Sequence, residues 1–433
     1  MPRYAWYVVA VLLLASISSN IDRQILSLLV VPIRRDLGLT LTQYGSLVGL
    51  PFAIFFSVMG LPIARAADRG NRRNIITGGI ALWSLATAAC ALAGTFWRLL
   101  LARIGVGVGE AALQPPAASL LADYFPRDRL GGAMGVYSMG IFVGSGLAYF
   151  IGGWIVGLVS AQESWTLPLI GAIRPWQTVF AVVGAPGLVV AMLIAFTVRE
   201  PARRGTARTG VPLAALTAYV RANAQTFTTL CFGFALSATV NYGIAAWLAL
   251  FLVQKHGWAV SRAGMVQGSL TMTVGALGVV LGGRLADRLT RAGKVDAALR
   301  VGIIGSLGML VSATAYPFAP TATIAVWWLV LVNFFAAFPW GAASAAAVEI
   351  VPAPMRAQSA ALFLFVLNLI SYALGPVAVA AITDHVFHRD SALPYSLAIV
   401  NVVGMSGAIA LFVFGMPAYR RTFIARDRWI SPV

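Results

Sequence analysis

Twelve apolar runs divide the chain, near residues 5–31, 45–64, 75–95, 99–121, 131–157, 176–198, 226–253, 263–284, 297–317, 322–347, 357–383 and 393–417. Wound as helices rising about 1.5 Å per residue, each can cross a ~30 Å hydrocarbon layer. The runs do not alternate with a period of two, and open strands would leave backbone groups unsatisfied in lipid, so helices are predicted throughout. Polar punctuation separates them. Pro32–Tyr44 follows the first run, and its Thr40-Leu-Thr42-Gln43 has the form of a helix start. Gly94–Trp97 joins the third to the fourth, and Pro115 and Pro116 predict a break within the fourth. The longest interruption, Arg199–Arg221, carries Pro201, Gly205, Gly210 and Pro212 and divides the runs six and six.

This pattern predicts an all-α polytopic membrane protein of twelve transmembrane helices in two pseudo-symmetric six-helix bundles. The expected boundaries are 1–198 for the first bundle, 199–222 for a linker, 223–418 for the second bundle and 419–433 for a tail. An internal repeat supports the division. Ala64-Arg65-Ala66-Ala67-Asp68-Arg69 follows the second run and Gly283-Arg284-Leu285-Ala286-Asp287-Arg288 follows the eighth. Asp123-Tyr-Phe-Pro126 with Arg129 is matched by Glu349-Ile-Val-Pro352 with Arg356 at a similar offset. Paired halves of this kind place a substrate site near the membrane midplane.

Composition agrees. Of 433 residues 59% are hydrophobic and 10% charged, with a mean hydropathy of +0.84, against about 25% charged in soluble proteins. The net charge of +17 does not indicate nucleic acid, because no basic run is interleaved with aromatics. Twenty-two of the 31 Lys and Arg fall in one set of alternate loops and seven in the other. That bias predicts a plasma (inner) membrane protein with both termini in the cytoplasm. The first run is too long for the apolar region of a signal and lacks a convincing cleavage site, so no cleaved signal is expected. Cys90 and Cys231 lie in different runs and read as plain packing residues.

Against this background the charges within the runs stand out. Asp22 and Arg23 lie in the first; Arg103 and Glu110 lie in the fourth, seven residues apart and so on one helical face. A charge at membrane depth costs at least about 2.5–3.5 kcal/mol, so the four are expected to form one buried network. Its carboxylates can take up and release protons, while the plainer reading is a static tie between two helices. Gly105 and Gly109 form a Gly-x-x-x-Gly face for close helix contact rather than a dinucleotide loop. The duplicated loops suggest a cytoplasmic gate of Asp68, Arg69, Arg72, Arg73, Asp287 and Arg288. Gln114, Tyr137, Asn241, Tyr242, Asn333, Trp340, Asn368 and Tyr372 are candidates to line a substrate cavity, or equally to bind helix to helix. His385 and His388 near Asp384 and Asp390 form one outer loop that nothing else completes, so no metal site is expected.

The Asp68-Arg69-Gly-Asn-Arg72-Arg73 loop and its partial copy resemble the loop signature of the major facilitator superfamily, although Ala64 and Asn71 stand where glycine is usual. Within it the chain is most similar to spinster-type transporters. The matching segments are Asn20-Ile-Asp22-Arg23, Asp36-Leu-Gly-Leu-Thr40 with Gln43, Arg103 through Glu110-Ala111, Asp123-Tyr-Phe-Pro126, Gly184-Ala-Pro186-Gly187 and Arg199-Glu200-Pro201. The resemblance implies alternating access, a lysolipid or sphingolipid-related substrate in eukaryotic members and proton coupling in bacterial ones. The organic-anion (anion:cation symporter) branch shares an Asp-Arg in its first helix and a Gly-x-x-Glu-Ala-like fourth helix, and is the alternative.

The function expected is that of a proton-coupled secondary transporter working by alternating access. An enzyme is not expected, because only two carboxylates and no histidine lie within the runs. No Gly-x-x-x-x-Gly-Lys loop is present, so no cofactor is expected and a proton gradient is the driving force. The expected partners are a small amphiphilic or anionic substrate and the bilayer, with the chain a monomer. A transport-inactive receptor on the same scaffold is the reading from another class.

Overall fold

The computed structural model describes residues 2–159, 165–167, 171–202 and 212–428. The side chains of a few helical residues, Asp68 among them, lie outside the described set, as do much of the expected linker and of the loop after the fifth span.

The first spans are α1 (Pro2–Leu28), with a short α2 (Val30–Leu37), then α3 (Leu41–Arg69) and α4 (Arg72–Cys90). Thr40 starts α3 as expected: its hydroxyl accepts from the Gln43 amide while the Gln43 side chain returns to the Thr40 amide, closing a capping box. The fourth span is α5 (Phe96–Glu110) and α6 (Gln114–Tyr124), interrupted at Ala111–Leu113, just ahead of the paired prolines in the first turn of α6. Then come α7 (Arg127–Val159) and α8 (Pro175–Thr197). Between these two lies an element that the apolar pattern does not indicate, an antiparallel hairpin of β1 (Trp165–Leu167) and β2 (Gly171–Ile173).

A helix, α9 (Leu213–Ala222), occupies the end of the linker region, and its Leu216 and Tyr219 are buried. Next are α10 (Ala224–His256) and α11 (Val260–Leu270), which passes through a π-turn at Thr271–Gly275 into α12 (Ala276–Arg291). The remaining spans are α13 (Ala297–Ala315), α14 (Ala322–Ala337) with α15 (Trp340–Glu349), α16 (Arg356–Ala381) and α17 (Leu393–Ala425). Ten helical stretches among the described residues are long and apolar enough to cross a membrane. With α4 and the broken pair α5–α6 they make twelve spans. Trp97, Phe196, Trp327 and Phe414 are exposed on the outside of these helices, as lipid-facing side chains must be.

The chain forms two compact units: Met1–Arg204 with Ala245–Met272, and Gly205–Ile244 with Thr273–Val433. In unit 1, α1 packs on α7, α4 on α8 and α5, and α11 on α7. In unit 2, α13 packs on α14 and α17, and α15 on α16. The handover between units falls inside α10 and again at the π-turn.

Candidate functional site

Asp22 and Arg23 are consecutive on α1, about 100° apart around its axis, and therefore meet different neighbours. Arg23 donates from Nη2 to Glu110 Oε2 at 2.5 Å. Its guanidinium lies 4.2 Å from the centre of the Phe52 ring and 5.8 Å from that of Phe56, both on α3. The two rings stack at 4.7 Å, a platform that suits a cation. Arg103 donates from Nη1 to the main-chain oxygen of Asp22 at 3.3 Å. Neither carboxylate oxygen of Asp22 has a hydrogen-bond partner among the described residues; Thr87 of α4 lies beside it, and Glu110 and Arg103 act on it electrostatically. Asp22, Arg103 and Glu110 are each 1% exposed, whereas the Arg23 side chain is 17% exposed. The four expected charges thus form one cluster, and Arg23 is its most exposed member.

Glycine brings α5 close enough to build it. A Cβ on Gly107 would lie 3.2 Å from the Pro51 carbonyl oxygen on α3, and one on Gly109 would lie 2.6 Å from the Trp83 main-chain nitrogen on α4. A larger residue at either place would push α5 away and carry Arg103 and Glu110 with it. Gly105 turns toward Ala86, so Gly105 and Gly109 share a face on α4, as their spacing predicts.

A second set of charges lies at the loop ends. Arg72, 1% exposed, donates to Asp123 and, at 2.7 Å, to Glu200, and also reaches the Ser119 main-chain and hydroxyl oxygens at 3.1 Å. In unit 2 the arrangement recurs with the signs exchanged. Asp296, also 1% exposed, accepts from Arg300 at 3.0 Å and from Arg420 at 2.6 Å. Burial alone would raise the Asp296 carboxyl, but the bonds and charge of the two arginines outweigh it and hold the group below the usual carboxylate range.

Of the gate candidates, Arg72 is in this clasp, and Arg73 joins it through its main-chain N–H, which donates to Glu200 Oε2 at 3.0 Å. The Arg73 side chain binds Asn74. Arg69, Asp287 and Arg288 are exposed and in no ion pair among the described residues, and the Asp68 side chain lies outside that set. The cavity candidates divide between the units. Exposed Gln114 and buried Tyr137 belong to unit 1; the other six belong to unit 2. Tyr242 and Tyr372 are brought together, ring centres 4.0 Å apart. Asn333 binds the Leu329 carbonyl oxygen of its own helix, and Asn241, Trp340 and Asn368 are partly buried. The sequence pattern does not single out Phe52, Phe56, Asp296 or Arg420. Asp123 and Glu200 sit in conspicuous segments, but their common partner does not follow from them. No group of His, Cys, Asp and Glu able to hold a metal occurs among the described residues.

The family model of the Major Facilitator Superfamily matches residues 12–376. The chain is 27% identical over 431 residues to an MFS-type efflux pump of Mycolicibacterium smegmatis, covering 99% of this chain and 96% of the pump. It is 27% identical to protein spinster homolog 1 of Rattus norvegicus, over 88% of this chain and 74% of that protein. The crystal structure of a bacterial homolog to the human lysosomal transporter Spinster, inward-facing and unoccupied, superposes with a TM-score of 0.80 at 32% identity, covering 99% of each chain. The relatives are transporters rather than enzymes, and the chain belongs to the Major Facilitator Superfamily as an integral membrane transporter of spinster-type similarity.

Proposed function

We propose that the protein is a proton-coupled carrier that works by alternating access on an amphiphilic, lipid-like substrate with an anionic head. The observation that carries this reading is the Arg23–Glu110 pair beside the unbonded Asp22 carboxylate. Arg23 rests on two aromatic rings and is partly exposed, which suits an anionic head, while half-buried Phe56 suits an apolar portion and fully buried Phe52 backs the guanidinium. An anion that takes over the guanidinium leaves Glu110 without its partner, and a proton then neutralises it. Return of Arg23 to Glu110 expels that proton. Asp22 is the second carboxylate able to take part, and Arg103 holds the main chain on which it stands.

In unit 2, the Tyr242–Tyr372 pair offers an aromatic surface of the kind an acyl chain would use. The charge bias supports an inner-membrane placement with cytoplasmic termini. A proton gradient supplies the energy without a bound cofactor, and the carrier works as a monomer.

The test is accumulation of a lysophospholipid, and in parallel of a small aromatic carboxylate, by proteoliposomes with and without an imposed pH gradient. Glu110→Gln keeps the shape but cannot ionise. It should abolish gradient-driven accumulation, about 10²-fold or more if the proton transfer is obligatory, while passive exchange persists. Accumulation by Glu110→Gln with wild-type pH dependence would sink this assignment. Uptake of the carboxylate alone would favour the organic-anion branch, and binding without uptake a receptor.

A further inference from the structure

We propose that unit 2 carries a binding site for a phosphate group of net negative charge, free or esterified in a lipid head group, separate from the cluster around Arg23. A cavity of about 400 Å³ opens between the C-terminal end of α12, the end of α15, the start of α16 and the end of α17. Three cations, Lys294, Arg356 and Arg426, and one carboxylate, Glu349, line it. Arg426 is fixed in place: its guanidinium lies 4.0 Å from the Phe423 ring centre, and Nη1 donates to the Glu349 main-chain oxygen at 2.6 Å. Arg356 and Arg426 both act electrostatically on Glu349. Lys294 and Arg356 are exposed and in no ion pair among the described residues. The wall therefore keeps an excess of positive charge around a concave space, with one arginine held rigid and two cations available.

Phosphate is the group whose several oxygens and charge use such a set together, with a planar guanidinium and an ammonium donating from different sides. The lone carboxylate gives the site a second preference. It accepts a hydrogen bond from a hydroxyl or ammonium attached to the same ester, which a bare halide lacks. A phospholipid head group and a soluble phosphate both present this chemistry. Basic pockets among membrane-spanning helices are suited to the first.

The full chain is placed in nanodiscs of phosphatidylcholine and of phosphatidylcholine with phosphatidylglycerol, and thermal unfolding is followed with and without inorganic phosphate at constant ionic strength. A ligand that binds only the folded protein raises the midpoint. The expected result is an upward shift with phosphatidylglycerol or with phosphate that the double variant Lys294→Gln/Arg356→Gln loses and Arg288→Gln, an exposed cation outside the cavity, retains. A shift with phosphatidylglycerol alone assigns the site to a lipid head group; a shift with phosphate in plain phosphatidylcholine assigns it to a soluble phosphate. If neither probe raises the midpoint, or if the double variant shifts as far as the wild type, the proposal is wrong. Transport by Glu110→Gln does not enter this measurement, so the two readings stand or fall separately.

Discussion

Arg72 and Asp296 are mirror cases of one physical problem. Each is a charge almost wholly removed from solvent, and each is tolerable only because two opposite charges close over it. Arg72→Ala leaves Asp123 and Glu200 facing each other without their cation. We expect a loss of about 2–4 kcal/mol, since the remaining carboxylates are partly hydrated, read as a lower unfolding midpoint in detergent. Arg72→Lys should recover only part, because one ammonium cannot span both partners as the guanidinium does. Asp296 makes a pH prediction. Its carboxyl is held below its unfolded value, so its contribution is complete above the unfolded carboxylate pKa and is lost as pH falls through the folded one. As the pH falls below the ordinary carboxylate range, the wild type should lose stability that Asp296→Asn, already weaker at neutral pH by about 1–2 kcal/mol, has no longer to lose. Parallel acid melting curves for the two would refute this.

At the scale of elements, helix contact in unit 1 is set by which glycine faces which neighbour. Gly109→Ala forces a Cβ against the main chain of Trp83 and should cost about 1–3 kcal/mol. Gly78→Ala, on α4 with nothing within 4 Å of its Cβ position, should be neutral or mildly stabilising. Equal midpoints for the two variants would remove the close-packing argument. The Gly109 variant should also weaken the Arg23–Glu110 pair, since α5 carries Glu110 at its end. Much of this level is readable in the chain. The Thr40–Gln43 box, the break before Pro115 and the shared face of Gly105 and Gly109 all follow from local spacing. The clasp around Arg72 does not, because its partners lie 51 and 128 residues away, and no local pattern distinguishes them from other loop acids. The β1–β2 hairpin escapes for another reason: strands of three residues are too short to establish an alternation.

For the whole molecule, the apolar runs are sufficient to establish twelve spans, because a bilayer allows a long apolar segment few alternatives. The charge cluster can be named from the cost of its members in lipid, but which acid pairs with which base depends on how α1 and α5 are turned. Reporter fusions test the orientation that the loop charges imply. Insertions in 199–221 and after Tyr419 should report cytoplasm, and one in 160–175 the outside; an external signal from 199–221 would overturn that topology.

The π-turn at Thr271–Gly275 bears on the length of its span. A π hydrogen bond reaches one residue further than an α bond, so such a turn holds a surplus residue without altering the helical phase on either side. On one side Gly264 and Gly268 fit against α7; on the other Gly278 and Gly282 fit against Phe334 and Phe338. Deleting Val274 should let the turn relax to an ordinary α-helix and leave the glycine spacing on each side of it intact. Deleting Val280 instead breaks the four-residue spacing of Gly278 and Gly282 and rotates the remainder of α12 by about 100°. The first variant should keep a midpoint near that of the wild type and the second should fall well below it. The surplus residue of the turn thus sits where the chain passes from one compact unit to the other.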